Sequence, residues 1–292
     1  MGLVKSSLEI LLKEASRRPF SGSLLTLGRQ DVYFPYKTLY KMAQKYKIKL
    51  SDSDGIKISS NPYFTAHNCI TDECLFKALG FSDFKSMDYS DYQGAHIIFD
   101  LNSYELPKTL LEAFDVIIDG GTMEHIFYIP NVLNNIYRML RVGGRIIHIS
   151  PSSNYVDHGF YSFSPTLFYD FYHTNKFRIN TLQLCHVPYR YSVDSWRCVD
   201  YLPGCLDQIS IGGLNKNGAY ITICIATKTS NSLGDKIPQQ GTYKLAWNET
   251  RKESSINLFK RFLIYYRRFG IKDTLEKIYY QYQCWLRRQH TE

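Results

Sequence analysis

The sequence predicts a doubly wound α/β protein built on a mostly parallel, seven-stranded sheet. Short apolar runs rich in β-branched residues alternate along the chain with amphipathic stretches of helical spacing. Several of these runs close on a glycine or an acidic residue, which is where a buried strand meets solvent. Helices between strands imply parallel pairing through right-handed crossovers. The predicted strands are 23–28, 84–90, 95–102, 114–121, 145–151, 178–187 and 219–228.

Helical spacing fills most of the segments between these strands. The stretch 51–80 departs from the alternation and is predicted to be an inserted loop and helix beside the site, and a candidate lid. Residues 1–20 are predicted to form an N-terminal helix, 21–230 the main domain, and 231–292 a linker and a helical tail. The predicted helices of the main domain are 35–48, 106–114, 129–144 and 164–177.

Composition places the chain among globular proteins. Of its 292 residues, 44% are hydrophobic and 21% are charged, which excludes disordered and low-complexity classes. No run approaches the ~20 apolar residues of a membrane span, and Glu9 and Glu14 interrupt the opening segment, so the chain is expected to be neither exported nor membrane-spanning. Seven cysteines without a CxxC pair predict packing thiols in a reducing cytoplasm rather than a zinc finger.

The positive charge is concentrated at the end of the sequence. Residues 251–292 contain ten basic and four acidic residues, which accounts for +6 of the net charge of +8. The rest of the chain is close to neutral, unlike a domain that tracks a phosphate backbone, so a nucleic-acid partner is not expected. The tail reads as two aromatic, basic helices broken at Gly270. Such helices suit packing on the main domain or on a second subunit, and alternatively the headgroup layer of an anionic bilayer.

Polar and small residues follow the predicted parallel strands. Because ligands of doubly wound sheets bind beyond the carboxyl ends of the strands, these residues are the candidates for a binding site. The candidates are Gly28, Arg29 and Gln30 after the first strand, Asp88 after the second, Asp100, Leu101 and Asn102 after the third, and Asp119, Gly120, Gly121, Glu124 and His125 after the fourth.

One segment has a more specific pattern than the rest of the chain: FDVIIDGGTMEHIFYIPNVLNNIYRMLRVGGRIIHISP, residues 114–151, which combines a strand, a helix, a glycine pair and a second strand. With it, the region from about 21 to 228 resembles class I S-adenosylmethionine-dependent methyltransferases. The resemblance implies a Rossmann-like sheet whose last strands form an antiparallel pair, S-adenosylmethionine as cofactor, and methyl-transfer activity. The first glycine motif departs from the family pattern, since TLGRQD stands where an acidic residue and Gly-x-Gly are usual.

The resemblance assigns cofactor contacts to several strand-end residues. Gly28 allows a close backbone approach, Gln30 lies in the same loop, and Arg29 offers a partner for the cofactor carboxylate. Asp88 is placed to accept both ribose hydroxyls. The adenine is expected at Asp100, Leu101 and Asn102, although Asp-x-Asn is also a common turn former. By resemblance, the backbone of Asp119, Gly120 and Gly121 lines the methionyl ammonium.

Catalytic candidates follow directly in the chain. Methyl transfer requires alignment of nucleophile and methyl group, and a hydroxyl nucleophile must also lose its proton. His125 is the first candidate base and His158 the second, with Glu124 beside them; either histidine could instead orient the substrate. Asn154, Tyr155 and Tyr161 suit a sugar or another polar ring. Asp119 and Glu124 could form part of a metal site, but no third ligand is evident, and no metal is predicted.

The predicted function is therefore a cytoplasmic methyltransferase that acts on an oxygen atom of a small molecule or glycan. One alternative is a methyltransferase-like binding protein that has lost its chemistry, consistent with the eroded first motif. Another is a methyltransferase that reaches a lipid-linked or nucleic-acid substrate through the basic tail.

Overall fold

The computed structural model describes residues 2–51, 55–188, 195–206, 218–241 and 243. The chain divides into two compact units, Met1–Gly241 and Thr242–Glu292. Apart from residue 243, the described residues all belong to the first unit. The predicted basic helices of 251–292 lie outside the described residues.

The first unit is built on one eight-stranded sheet of order β3-β2-β1-β4-β5-β8-β6-β7. Strands β1 to β5 pair in parallel, whereas β8 runs antiparallel to both β5 and β6. The doubly wound α/β class and its antiparallel final pair are thus confirmed. The strands are β1 Ser23–Leu27, β2 Asp83–Asp88, β3 Ile97–Ile98, β4 Phe114–Asp119, β5 Leu140–Ser153, β6 Arg178–Val187, β7 Arg197–Asp200 and β8 Ala219–Thr227.

Several helices begin where the sequence supplies a cap. The side chain of Thr71 accepts a hydrogen bond from Cys74 N at 3.1 Å, and that of Ser164 accepts one from Thr166 N at 3.3 Å. These bonds satisfy backbone donors that a helix leaves unpaired in its first turn. The helices are α1 Lys5–Arg17, α2 Tyr36–Lys45, α3 Pro62–Ala66, α4 Asp72–Ala78, α5 Ile129–Met139 and α6 Pro165–Thr174.

Apolar side chains cover both faces of the sheet. On one face, α1, α2 and α4 pack with strand residues such as Leu24 and Ile118; on the other, α5 and α6 pack with residues such as Leu25 and Ile117. Successive residues of β1 and of β4 therefore face opposite sides of the sheet, and both sides are covered. This is why both strands are continuous apolar runs in the sequence. The helix of the predicted 51–80 insertion, α4, is a core helix, since Leu75 is fully buried there.

Three predicted elements differ in extent. Segment 106–114 forms only a single 3-10 turn, Lys108–Leu110, and the third strand shortens to Ile97–Ile98. The predicted helix 129–144 ends at Met139, and the glycine pair lies in β5. Gly143 N donates to Lys228 O at 2.8 Å and Lys228 N to Gly144 O at 2.8 Å, so this segment pairs with the chain just past β8.

The eighth strand, β7, and the pairing of two cysteines correct the sequence-based predictions. All four residues of β7 are exposed, so the segment carries no apolar pattern. It pairs with β6, where Cys185 lies directly opposite Cys198 and the two form a disulfide. Not all cysteines are therefore free thiols, and the argument from cysteine usage for a reducing compartment no longer holds. No described helix is long and apolar enough to span a bilayer.

Candidate functional site

The carboxyl ends of β1, β2 and β4 meet at one edge of the sheet. The N–H of Gly28, just past β1, donates to Met87 O of β2 at 2.7 Å, and Thr122 Oγ1, just past β4, donates to Leu27 O at 2.6 Å. Gly28 has φ +71°, and a Cβ there would lie 2.8 Å from Thr122 Oγ1. Glycine is required at this position because both the backbone conformation and the available space exclude a side chain.

Gln30 and Gly120 extend this edge inward. The Gln30 side chain is buried and donates through Nε2 to Leu27 O at 3.1 Å. Its Oε1 packs so closely on Gly120 that a Cβ at Gly120 would collide with it. Within the described part of the chain, this buried oxygen accepts no hydrogen bond. The loop therefore presents an unused acceptor beside the glycine that follows β4.

Arg29 pairs with a buried carboxylate from α4. Its Nη2 lies 3.0 Å from Asp72 Oδ1. Burial raises the pKa of Asp72, although the Arg29 guanidinium opposes that shift. No sequence pattern links these two residues, which lie 43 positions apart. The ion pair fixes the position of Arg29 and uses one of its nitrogens, and the remaining N–H groups could still meet a ligand carboxylate.

Asp88 and Asp100 lie at the ends of the adjacent strands β2 and β3. Asp88 Oδ2 is 3.8 Å from the point where a Gly28 Cβ would stand, and its Oδ1 accepts from Tyr89 N at 2.7 Å. Asp100 Oδ1 accepts from the backbone N and the side chain Nδ2 of Asn102, both at 2.9 Å. Asn102 Oδ1 in turn accepts from Tyr128 N at 3.0 Å. Asp100 and Asn102 thus form the turn that the sequence left open as an alternative, and Leu101 between them is buried.

Asp119 is a structural centre of this edge rather than an exposed ligand. It is fully buried, and Oδ1 accepts from Thr122 N and Met123 N, both at 3.1 Å. Oδ2 accepts from Ser150 Oγ at 3.1 Å and lies 2.8 Å from His148 Nδ1. Burial opposes ionisation of Asp119, but its hydrogen bonds to His148 and the two amides lower its pKa below the usual value. The predicted backbone contact of Asp119, Gly120 and Gly121 with a cofactor remains compatible with this arrangement.

Glu124 lies in a single 3-10 turn, Met123–His125, under the loop that follows β5. Its backbone carbonyl accepts from Phe160 N at 2.9 Å. Gly159 allows this approach, because a Cβ there would lie 2.9 Å from that carbonyl and 3.2 Å from His125 Nδ1. The loop therefore rests on the turn and carries His158 towards Glu124.

Glu124, His125 and His158 form one cluster. Glu124 Oε1 lies 3.8 Å from His125 Nε2 and 3.4 Å from His158 Nε2. The Glu124 side chain is 0% exposed, whereas the two imidazoles are 46% and 32% exposed. Burial and the nearby Asp119 raise the pKa of Glu124 to about 8. Burial lowers the pKa of both histidines, and for His125 the neighbouring His158 adds to the effect.

The predicted substrate residues lie around the β5–α6 loop with different surroundings. The Tyr155 ring packs 5.2 Å from the His158 ring, and burial raises its pKa to about 12. Tyr161 donates its hydroxyl to Phe127 O at 2.9 Å, and Asn154 donates to Gly218 O at 2.9 Å. Of the three, Tyr155 has a described ring contact with the cluster.

Three exposed aromatic side chains lie near the same loop. Phe127 contacts Tyr128 and Phe160 edge-to-face, with ring centroids 5.6 and 5.7 Å apart. All three rings remain more than half exposed. Exposed aromatic faces beside a polar cluster suit a ring-shaped or apolar ligand.

Sequence reasoning missed the residues that hold Asp119. His148, Ser150 and Tyr172 are fully buried, and His148 Nε2 lies 2.6 Å from the Tyr172 hydroxyl. Polar residues within the apolar run RIIHIS of β5 were the available signal, since a strand buried on both faces needs a partner for each polar group.

No family model matches the chain, and no curated protein matches it. Among solved structures, the chain is similar to the 1,6-didemethyltoxoflavin-N1-methyltransferase of Burkholderia thailandensis with bound S-adenosylhomocysteine, at 14% identity and a TM-score of 0.38, over 77% of this chain and 78% of that one. It is also similar to a geranyl diphosphate methyltransferase in complex with SAM, at 12% identity and a TM-score of 0.38, over 77% of this chain and 85% of that one. A third similar structure is a SAM-dependent methyltransferase of Thermotoga maritima, at 15% identity and a TM-score of 0.35, over 77% of this chain and 90% of that one. Similarity at this level does not by itself assign an activity.

Proposed function

We propose that this chain is an S-adenosylmethionine-dependent methyltransferase that methylates an oxygen atom of a small molecule or glycan. The observation that carries the proposal is the convergence of Gly28, Asp88, Gly120 and the Glu124 cluster at one edge of the sheet. A candidate nucleoside-binding edge and an acid–base cluster then lie side by side. This is the arrangement that the resemblance of residues 21–228 to class I methyltransferases implies.

The residues at this edge fit the cofactor. The Gln30 Oε1 beside Gly120 is a buried acceptor without a partner in the described chain, and a methionyl ammonium would supply the missing donor. The Asp88 carboxylate, half-buried at the end of β2, can accept from two ribose hydroxyls. Arg29, oriented by Asp72, can donate to the methionyl carboxylate, and Asp100 retains a second oxygen for the adenine amino group.

When bound, the cofactor supplies an electrophilic methyl group on a positively charged sulfur. The acceptor hydroxyl is expected on the exposed side of the His125 and His158 imidazoles. The acceptor oxygen would form a bond to that methyl carbon, and the sulfur would keep the electron pair of the broken S–C bond and leave as a neutral thioether. The hydroxyl proton passes to His125 or His158, whose lowered pKa values leave the imidazoles neutral near pH 7.

Replacing Asp88 by alanine is expected to weaken binding of S-adenosylhomocysteine. The loss of hydrogen bonds to a carboxylate corresponds to about 1.5–3 kcal/mol, or roughly a tenfold to hundredfold increase in Kd. Isothermal titration calorimetry of the full chain with S-adenosylhomocysteine measures the change. Asp83→Ala is the matched control, because Asp83 is exposed at the opposite end of the same strand and should leave Kd unchanged.

Absence of any binding heat for S-adenosylmethionine and S-adenosylhomocysteine in the unaltered protein would contradict the proposal. Equal effects of Asp88→Ala and Asp83→Ala would instead show that β2 acts through folding alone.

Replacing His125 or His158 by alanine is expected to lower turnover with little change in cofactor affinity. Loss of a general base reduces the rate by about 10²–10⁴-fold, whereas neither imidazole is assigned a contact with the cofactor. Transfer of labelled methyl groups to a panel of phenols, catechols and sugars measures turnover. His67→Ala, an exposed histidine on the segment after α3, serves as the control. A variant that loses cofactor affinity as strongly as turnover would show that the roles are misassigned.

The basic tail, residues 251–292, is a candidate contact surface. We retain the prediction that residues 251–292 contact a second subunit or an anionic bilayer, on the strength of their charge and aromatic content. A cytoplasmic location is likewise proposed from the sequence, without support from cysteine usage, since Cys185 and Cys198 form a disulfide.

A further inference from the structure

Three side chains with metal-binding atoms converge at the acceptor side of the site. One carboxylate oxygen of Glu124 and one nitrogen each of His125 and His158 all lie within 4.8 Å of one another. Two of the residues are consecutive on the turn after β4, and the third comes from the loop after β5. The cluster therefore joins two elements that the sequence separates by more than thirty residues.

The Glu124 carboxylate has no other partner. It is completely buried, and within the described chain neither of its oxygens takes part in a hydrogen bond. His158 Nε2, 3.4 Å away, is also buried without a hydrogen bond. A buried carboxylate without donors is costly, and by comparison the nearby Asp119 has four hydrogen-bonding contacts. A cation held between Glu124 and the imidazoles would give one Glu124 oxygen and His158 Nε2 the partner that they lack within the described chain.

Two interatomic distances in the cluster suit a tetrahedral transition-metal site, and all three ligand atoms lie within 4.8 Å of one another. Zn²⁺ binds imidazole nitrogen and carboxylate oxygen at about 2.0–2.2 Å, which places tetrahedral ligand atoms about 3.4 Å apart. Glu124 Oε1 lies 3.4 Å from His158 Nε2 and 3.8 Å from His125 Nε2. Two imidazoles and one carboxylate favour zinc or a neighbouring transition metal over Mg²⁺ or Ca²⁺, which prefer oxygen ligands.

The two histidines leave one side of the cluster open. Their side chains are 46% and 32% exposed, whereas Glu124 lies beneath them at 0%. A three-ligand site with an exposed side keeps a coordination position for a water or a substrate oxygen, as catalytic zinc sites do. The exposed rings of Phe127 and Phe160 lie near the same opening.

We infer that Glu124, His125 and His158 bind one divalent transition-metal ion, with Zn²⁺ as the best fit, whose open position faces the methyl acceptor. The site differs from the Asp119–Glu124 pair considered from the sequence, because Asp119 is fully engaged by His148, Ser150 and the turn. Binding of the ion needs no cofactor, so the metal site stands independently of the proposed function, whereas its role towards the methyl acceptor rests on that function.

The ion would change how the acceptor loses its proton. A hydroxyl oxygen held by such an ion would have a lowered pKa and would then release its proton to solvent without a histidine base. Both imidazoles then act as ligands through their lone pairs. The histidine base of the proposed mechanism describes the protein without the ion.

The test is metal binding by the full chain after treatment with a chelator. Zn²⁺ is titrated by calorimetry, and Co²⁺ by its absorption spectrum, into the unaltered protein and into Glu124→Gln, His125→Ala and His158→Ala. One ion per chain is expected, without the sulfur-to-cobalt band that cysteine ligands would give. Each variant is expected to bind at least about 100-fold more weakly, above the range that loss of a second-shell partner causes. His67→Ala and His173→Ala, both exposed histidines, are the controls.

Binding that is absent in the unaltered chain, or that weakens less than tenfold in the His125 and His158 variants, would overturn the inference. If Glu124→Gln fails to fold, the two partly exposed histidines still carry the test, and thermal unfolding without metal shows that each variant is folded. S-adenosylhomocysteine binding is measured on the same samples. Zinc binding without nucleoside binding would support the cation site while contradicting the proposed function.

Discussion

Replacing Asp119 by alanine is expected to lower the free energy of unfolding by about 3–5 kcal/mol, the range seen when one partner of a buried charged pair is removed. The substitution strands His148 Nδ1, Ser150 Oγ and the amides of Thr122 and Met123, all of which now contact the carboxylate. Each buried donor left without an acceptor is costly. Urea denaturation of the full chain, followed by circular dichroism, measures the change.

Asp83→Ala is the matched control for Asp119→Ala. Asp83 lies on the neighbouring part of the same sheet but is half exposed, and Lys85 stands 3.9 Å from its carboxylate. Such surface pairs contribute about 0–1 kcal/mol, so the control should unfold close to the unaltered protein. Similar midpoints for the two variants would show that Asp119 does not organise the site.

The lowered pKa of Asp119 predicts how the stability of the protein changes in acid. The folded pKa of this carboxylate lies below the value of 3.8 expected in the unfolded chain. Its contribution to stability is therefore complete at pH values above 3.8 and disappears as pH falls through the folded pKa. The difference in unfolding free energy between the unaltered protein and Asp119→Asn should stay constant near neutrality and shrink below pH 3.8.

Replacing Glu14 by alanine is also expected to lower the free energy of unfolding by about 3–5 kcal/mol. Glu14 of α1 pairs with Arg145 of β5 at 2.5 Å, and both side chains are buried. Arg145 also donates to Pro19 O at 3.0 Å and stacks 4.6 Å above the Phe20 ring. Without Glu14 the guanidinium is a buried charge without a counter-ion. Calorimetric and urea unfolding of the variant measure the loss.

Two further variants separate the ion pair from helix packing. Lys13→Ala, on the exposed side of α1, should change stability by less than about 1 kcal/mol. The double substitution Glu14→Leu with Arg145→Met removes both charges and should be much less destabilising than Glu14→Ala alone. A double variant that is as unstable as the sum of its single variants would mean that the charges act independently.

Strand positions could be predicted from the sequence because burial on both faces leaves a strong local signal. The run FDVIID was predicted as a strand and forms β4, and the residues after it lie at the carboxyl edge of the parallel strands, as predicted. The same rule placed Gly28 and Asp88 at the ends of neighbouring strands, and a Cβ at Gly28 would lie 3.8 Å from Asp88 Oδ2.

The side-chain contacts of the candidate residues could not be predicted, because they depend on residues distant in the chain. Arg29 was expected to face a ligand, and the structure pairs it with Asp72. Asp100 was a candidate adenine acceptor, and one of its oxygens is committed to the Asn102 turn. The exposed strand β7 and its disulfide left no periodic signal, since a strand without an apolar face looks like a loop.

The sequence by itself determined the layered α/β architecture and the edge of the sheet at which the candidate site lies. Hydrophobic period and chain direction are local properties, and they dictate where parallel strands end. Only the tertiary structure decided that Asp119 is held by buried hydrogen bonds and that Glu124 lies beneath two histidines without a hydrogen bond from the described residues. The environment of a carboxylate depends on which distant groups fold against it, and no local pattern records those neighbours.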